Sequence, residues 1–117
     1  MSGAVPKKSL GDLSQFRVAI ISASWHEQIC ADLIAGARRA LLTAKIEPEP
    51  VVFVPGSFEL PLAAQLALDN GFDAAVVLGV VLRGETPHFD YVCQGVTQGV
   101  MQVSLTRSKP IGFGVLT

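Results

Sequence analysis

The chain has two histidines and a single tryptophan. Each lies just after an apolar run and just before a helical pattern. Imidazole exchanges protons near neutrality, so His88 is a candidate general acid–base, and His26 a weaker one. The indole of Trp25 offers a flat face for stacking on a planar ligand, or an apolar face for the core. Glu59, in Pro55-Gly56-Ser57-Phe58-Glu59, either accepts hydrogen bonds from ligand hydroxyls or steadies a helix dipole. Gly84-Glu85-Thr86 precedes His88 at a helix entry. Free N–H groups and the positive end of the dipole favour an anion there, most simply a phosphate, provided Glu85 points away. Thr86 either caps that helix or donates its hydroxyl to the anion. Arg83 either balances the anion's charge or is simply solvated.

Composition narrows the field. The 117 residues suit one domain. Nine basic and ten acidic residues give a net charge of -1, which makes no electrostatic case for nucleic acid. Cys30 and Cys93 are too far apart for a CxxC motif, and the histidines are also far apart, so a metal site is not expected. The chain lacks GxGxxG, GxxxxGK and GxSxG, the marks of dinucleotide sites, P-loops and nucleophile elbows. Residues 1–15 are polar with no signal-peptide core and read as a flexible tail; residues 16–117 read as the domain. The longest apolar run, Ala74–Leu82, falls short of the ~18 residues that span a bilayer. A soluble, cytoplasmic protein with free thiols follows.

Alternating patterns must position these groups. Phe16–Ser22 reads as a buried strand and Glu27–Ala44 as a helix with an apolar stripe. Val51–Val54 is a second strand. Ser57 is a candidate N-cap for a helix to Asn70, with Pro61 in its first turn and Gly71 as its stop. Ala74–Leu82 lacks polar alternation and reads as a central parallel strand. Thr86 and Pro87 read as N-cap and N1 of a helix to about Thr106, with Phe89, Cys93, Val96, Val100 and Val103 on its apolar stripe. Gly95 and Gly99 lie on another face, either at the surface or against another subunit. Ile111–Thr117 is a fourth strand. The order βαβαβαβ predicts a three-layer α/β/α, flavodoxin-like domain with a four-stranded parallel sheet. The candidate residues then gather at the carboxyl ends of its strands, where ligands bind in such folds.

In these loops the chain resembles lumazine synthase, a transferase of riboflavin biosynthesis. The resemblance rests on Ser24-Trp25-His26, on Pro55-Gly56-Ser57-Phe58-Glu59-Leu60-Pro61, and above all on the run Leu78 to Cys93, LGVVLRGETPHFDYVC. It implies condensation of 5-amino-6-(D-ribitylamino)uracil with 3,4-dihydroxy-2-butanone 4-phosphate, giving 6,7-dimethyl-8-ribityllumazine, phosphate and water, without metal or cofactor. It places Trp25 on the pyrimidine face, Ser57, Phe58 and Glu59 along the ribityl chain, and Val80, Val81 and Leu82 at the pyrimidine edge. Glu85 and Thr86 take the phosphate and His88 transfers protons. Phe113, by its own pattern a core strand residue, matches a position that the family supplies from a neighbouring subunit. A homo-oligomer is implied, a pentamer or a multiple of pentamers. The family continues past the fourth strand into helices carrying an arginine and a lysine for the site, and the chain is expected to lack them. The alternative reading is a non-catalytic flavin- or lumazine-binding or shell-forming subunit.

Overall fold

Two runs of small and β-branched residues form the centre of the molecule. Strand β1 (Val18–Ala23) is buried at every position and β3 (Ala74–Val80) along most of its length. In the computed structural model, which describes residues 11–117, they pair in parallel, with Ile21 opposite Val77. The short strand β2 (Val52–Val54) joins the far side of β1, and β4 (Ile111–Leu116) the far side of β3. All pairs are parallel and the order is β2-β1-β3-β4. The expected four-stranded parallel sheet is the one observed.

Strand alternation divides the core between two helical layers. Ala19, Ile21, Ala75 and Val77 pack with Leu60, Ala64 and Leu68 of helix α2 (Leu60–Asp69) and with Val92, Val96, Val100 and Val103 of helix α3 (His88–Arg107). Ile20 and Leu78 point the other way, onto Ile34 of helix α1 (Glu27–Thr43). Helices therefore cover both faces, as expected of a flavodoxin-like domain. The strand order reverses between β1 and β3, and the crevice beyond their carboxyl ends is where such folds bind ligands.

Several local expectations change. The helix expected from Ser57 is two elements, a single 3-10 turn at Ser57–Glu59 followed by α2. Pro61 stands in the first turn of α2 as expected, and Gly71 takes the left-handed φ of 97° just beyond its end. The third strand leaves the ladder at Val80, although the Val81 N–H still donates to the Leu116 carbonyl at 2.8 Å. Helix α3 begins at His88, with Pro87 rather than Thr86 at its N-cap. Residues 1–10 of the expected tail lie outside the described residues. Leu13 packs beside Val18, Ala44 and Ile46, and its N–H donates to the Ala44 carbonyl at 3.0 Å.

Gly95 and Gly99 are half-buried, and the space beside each is filled from within the chain. Both let α3 approach the Ser57–Pro61 segment. A Cβ on Gly99 would stand 2.8 Å from Pro61, and one on Gly95 would stand 2.7 Å from the Phe58 ring. The glycine pair is thus an internal contact, which local sequence does not reveal.

Arg17 ties the start of β1 to the segment before β2. Its guanidinium donates to both carboxylate oxygens of Glu49, at 3.0 and 2.7 Å, and lies over the Phe72 ring. Those hydrogen bonds hold the Glu49 carboxyl below its ordinary pKa. A depressed carboxylate pKa stabilises the fold above the unfolded value and ceases to do so as the pH falls through the folded one. The melting temperature should therefore drop as the pH falls below ~4.3, the ordinary glutamate pKa. Arg17→Gln should flatten that acid limb, which melting curves recorded from neutral pH into the acid range would show. An unchanged limb would show that the pair is fully screened.

Candidate functional site

A cleft of about 580 Å³ opens at the carboxyl ends of β1 and β3. Three segments wall it: Trp25 and His26 after β1, Pro55–Glu59 after β2, and Val80–Leu82 at the end of β3. His88, Tyr91 and Val92 of the first turns of α3 close the remaining side. The crossover topology thus brings together segments far apart in the chain.

The turn after β2 is built by Glu59. Its Oε2 accepts the Gly56 N–H at 3.0 Å, and its own N–H donates to the Gly56 carbonyl at 3.2 Å. The N-cap position expected at Ser57 falls to Gly56, and Glu59, two residues after Ser57, reaches back to accept the Gly56 N–H. Ser57 instead turns inward. It is 6% exposed, and its hydroxyl has no hydrogen-bond partner among the described residues. Gly79 makes the room, because a Cβ there would collide with Ser57 Oγ and crowd Leu60. A buried unpaired hydroxyl is costly. Ser57→Ala should therefore be neutral or stabilising, by up to about 1 kcal/mol, read as a rise in melting temperature. A clear fall would mean that the hydroxyl has a partner.

Trp25 does not sink into the core. It remains 70% exposed, with its indole beside Gly56, where a Cβ would stand 3.5 Å from the ring. Its carbonyl accepts the Cys30 thiol at 3.4 Å, which fixes the loop from beneath. His26, at the N-cap of α1, holds a left-handed backbone at φ 60°, ψ 57°, and its carbonyl accepts the Cys30 N–H. For a residue other than glycine that conformation is uncommon and carries strain of about 1–3 kcal/mol.

Val80 and Val81 are buried at the cleft floor, and Leu82 is exposed at its lip. His88 is exposed on the cleft side of α3. Glu85 and Thr86 lie outside the cleft walls, on the exposed loop above the helix; the Thr86 hydroxyl accepts the His88 N–H over a long 3.4 Å. Arg83 folds back on α3, with its guanidinium 4.4 Å above the Phe89 ring and 3.9 Å from Asp90. Phe113 stands apart, in the outer strand β4 opposite Val77, and is 48% exposed. The single chain therefore assembles Trp25, Ser57, Phe58, Glu59, Val80, Val81, Leu82 and His88 around one cleft, and leaves Glu85, Thr86 and Phe113 outside it.

Tyr91 also lines the cleft, although its type and place do not single it out in the sequence. A signal exists, since it follows His88 by three residues and so shares its helix face. His26, the weaker of the two histidine candidates, lines the cleft as well. Among the described residues no three His, Cys, Asp or Glu side chains converge to hold a metal ion, and no helix is long and apolar enough to cross a membrane. With an exposed indole, an ordered glutamate turn and an imidazole facing one space, the cleft can stack a flat ring, bind hydroxyls and move protons.

Comparison with known proteins gives the same reading. The chain is 52% identical over 118 aligned positions to the 6,7-dimethyl-8-ribityllumazine synthase of Streptomyces coelicolor, covering all of this chain and 73% of that relative. The Nocardioides protein of the same name is also 52% identical, with the same coverage. That of Pseudarthrobacter chlorophenolicus is 56% identical over 106 positions, covering 91% of this chain and 65% of the relative. The family description matched across residues 15–117 is 6,7-dimethyl-8-ribityllumazine synthase, and with the strand-end cleft in place the chain belongs to that family.

Proposed function

We propose that the chain condenses 5-amino-6-(D-ribitylamino)uracil with 3,4-dihydroxy-2-butanone 4-phosphate to 6,7-dimethyl-8-ribityllumazine. The observation that carries this is the convergence of Trp25, Phe58, Glu59 and His88 on one cleft in a chain of this family. Trp25 stacks on the pyrimidine. The Ser57–Glu59 turn holds the ribityl chain, with Glu59 Oε1 left for a hydroxyl because Oε2 is engaged on Gly56. Val80, Val81 and Leu82 meet the pyrimidine edge. The backbone N–H groups at Glu85 and Thr86 and the Thr86 hydroxyl, beside the α3 N-terminus, take the phosphate. The amine adds to the carbonyl of the four-carbon phosphate and water leaves as the imine forms. Phosphate is then lost, and the second amino group of the pyrimidine closes the ring on the remaining carbonyl, expelling a second water. His88 carries protons in these steps, and much of the rate comes from holding two substrates together.

We further propose a cytoplasmic homo-oligomer, a pentamer or a multiple of pentamers, in which Phe113 of one copy reaches the cleft of the next. Its exposure on β4 supports this, as do the exposed Leu62 and Leu66 of α2 and Met101 and Leu105 of α3. Titrating 6,7-dimethyl-8-ribityllumazine into the chain while following Trp25 emission tests the binding half of the reading. Saturable quenching is expected; a flat titration would remove the ligand from this cleft.

A further inference from the structure

Gly95 lies about two turns into α3, outside the cleft walls. It nevertheless meets the cleft through one side chain. A Cβ at this position would stand 2.7 Å from Phe58 Cε1, 3.4 Å from Cδ1 and 3.6 Å from Cζ, all atoms of one ring edge. Real Cβ atoms do not come that close, so a side chain at 95 forces a movement. The ring is the part free to give. Phe58 is 60% exposed, whereas α3 is held by Val92, Val96, Val100 and Val103 in the core.

We propose that Gly95 is a positioning residue for ligand binding: its bare Cα lets the Phe58 ring lie back against α3, which keeps the ring along the cleft wall. The inference rests on the proposed function, in which Phe58 lies along the ribityl chain. Glycine is the poorest helix former short of proline, and alanine is the best. A glycine mid-helix is therefore explained here by what it leaves room for. Gly99, one turn further on, meets the rigid Pro61 outside the cleft and has no such reach.

Equilibrium binding of 6,7-dimethyl-8-ribityllumazine to the full chain, read beside thermal melting, tests the proposal. Gly95→Ala should weaken binding by roughly tenfold, the scale of one aromatic contact, with a melting temperature equal to or above that of the parent. A merely structural glycine would lower both together. In a Phe58→Leu background, where the ring edge is gone, adding Gly95→Ala should change binding less than twofold. Unchanged binding in Gly95→Ala, or an equal loss with and without the Phe58 ring, would overturn the proposal. So would a Gly95→Ala chain that fails to fold, since the ring would then not be the part that yields. If the parent chain itself does not bind the lumazine, the proposed function fails and this inference with it, an outcome distinct from the others.

Discussion

Replacing His88 with alanine should slow lumazine formation by about two to four orders of magnitude, the usual contribution of a positioned acid–base group, while 6,7-dimethyl-8-ribityllumazine still binds. His88 sits at the first residue of α3, exposed and facing the cleft. It makes no core contact whose loss would unfold the chain. The separation of effects follows from this placement. Ring stacking and ribityl binding fall to Trp25, Phe58 and Glu59 on the other segments, so deleting the imidazole leaves them in place. Steady-state turnover and a product titration on the same variant read the two quantities separately. Equal turnover in the His88→Ala protein would take the proton-transferring role away from His88, and lost binding would make it a substrate-holding group.

The largest effect on stability is expected at Leu60. It is 0% exposed and opens α2 directly after Glu59. Its side chain lies in the core between the sheet and α3, with Cδ1 3.4 Å from where a Cβ on Gly79 would stand. Leu60→Ala leaves a cavity that rigid neighbours on β3 fill poorly, at a cost of about 2–5 kcal/mol. Against a total of about 5–15 kcal/mol for a typical domain, that is a large fraction. Leu60 also anchors the 3-10 turn carrying Ser57, Phe58 and Glu59. Its loss should weaken lumazine binding more than Val103→Ala, a core truncation near the far end of α3. Urea unfolding of both variants, with binding measured under native conditions, checks this. A loss below about 1 kcal/mol at Leu60 would contradict the packing described.

Much of this architecture is legible because strand and helix patterns are local. The unbroken apolar run Ala74–Val80 announces a strand covered on both sides, and the stripe through Val96, Val100 and Val103 announces the buried face of α3. Pro61 and Gly71 bound α2 by their backbone preferences alone. Ser57 shows where local reading stops. By type and place it is a good N-cap, yet the turn is capped at Gly56, whose N–H the Glu59 carboxylate accepts, and Ser57 is drawn in against Gly79, a distant residue in sequence that it meets only through the fold. Gly95 and Gly99 mislead for the same reason, since the ring and proline they accommodate belong to another segment.

The site is legible in a different way. His88, Trp25 and Glu59 follow from chemistry and strand-end placement, and the cleft brings them together. The roles of Ser57, Phe58, Val80, Val81, Leu82 and Phe113 come through family resemblance, because a backbone edge or an apolar side chain has no distinctive chemistry, whereas the helix entry at Gly84-Glu85-Thr86 points to an anion on its own. Phe113 reads as a core residue on its pattern, and β4 leaves it half exposed at the edge of the sheet. Tyr91 escapes notice although its spacing from His88 places it on the same face. His26 looks weak from sequence because nothing local signals the left-handed backbone it adopts.

The most direct measurement is lumazine formation by this 117-residue chain from both substrates, followed by product absorbance together with released phosphate. Product and phosphate rising in equal amounts, and both falling with His88→Ala, is the expected result. A chain that binds the ribityllumazine but forms none from its precursors would contradict the claim that these residues carry out the condensation.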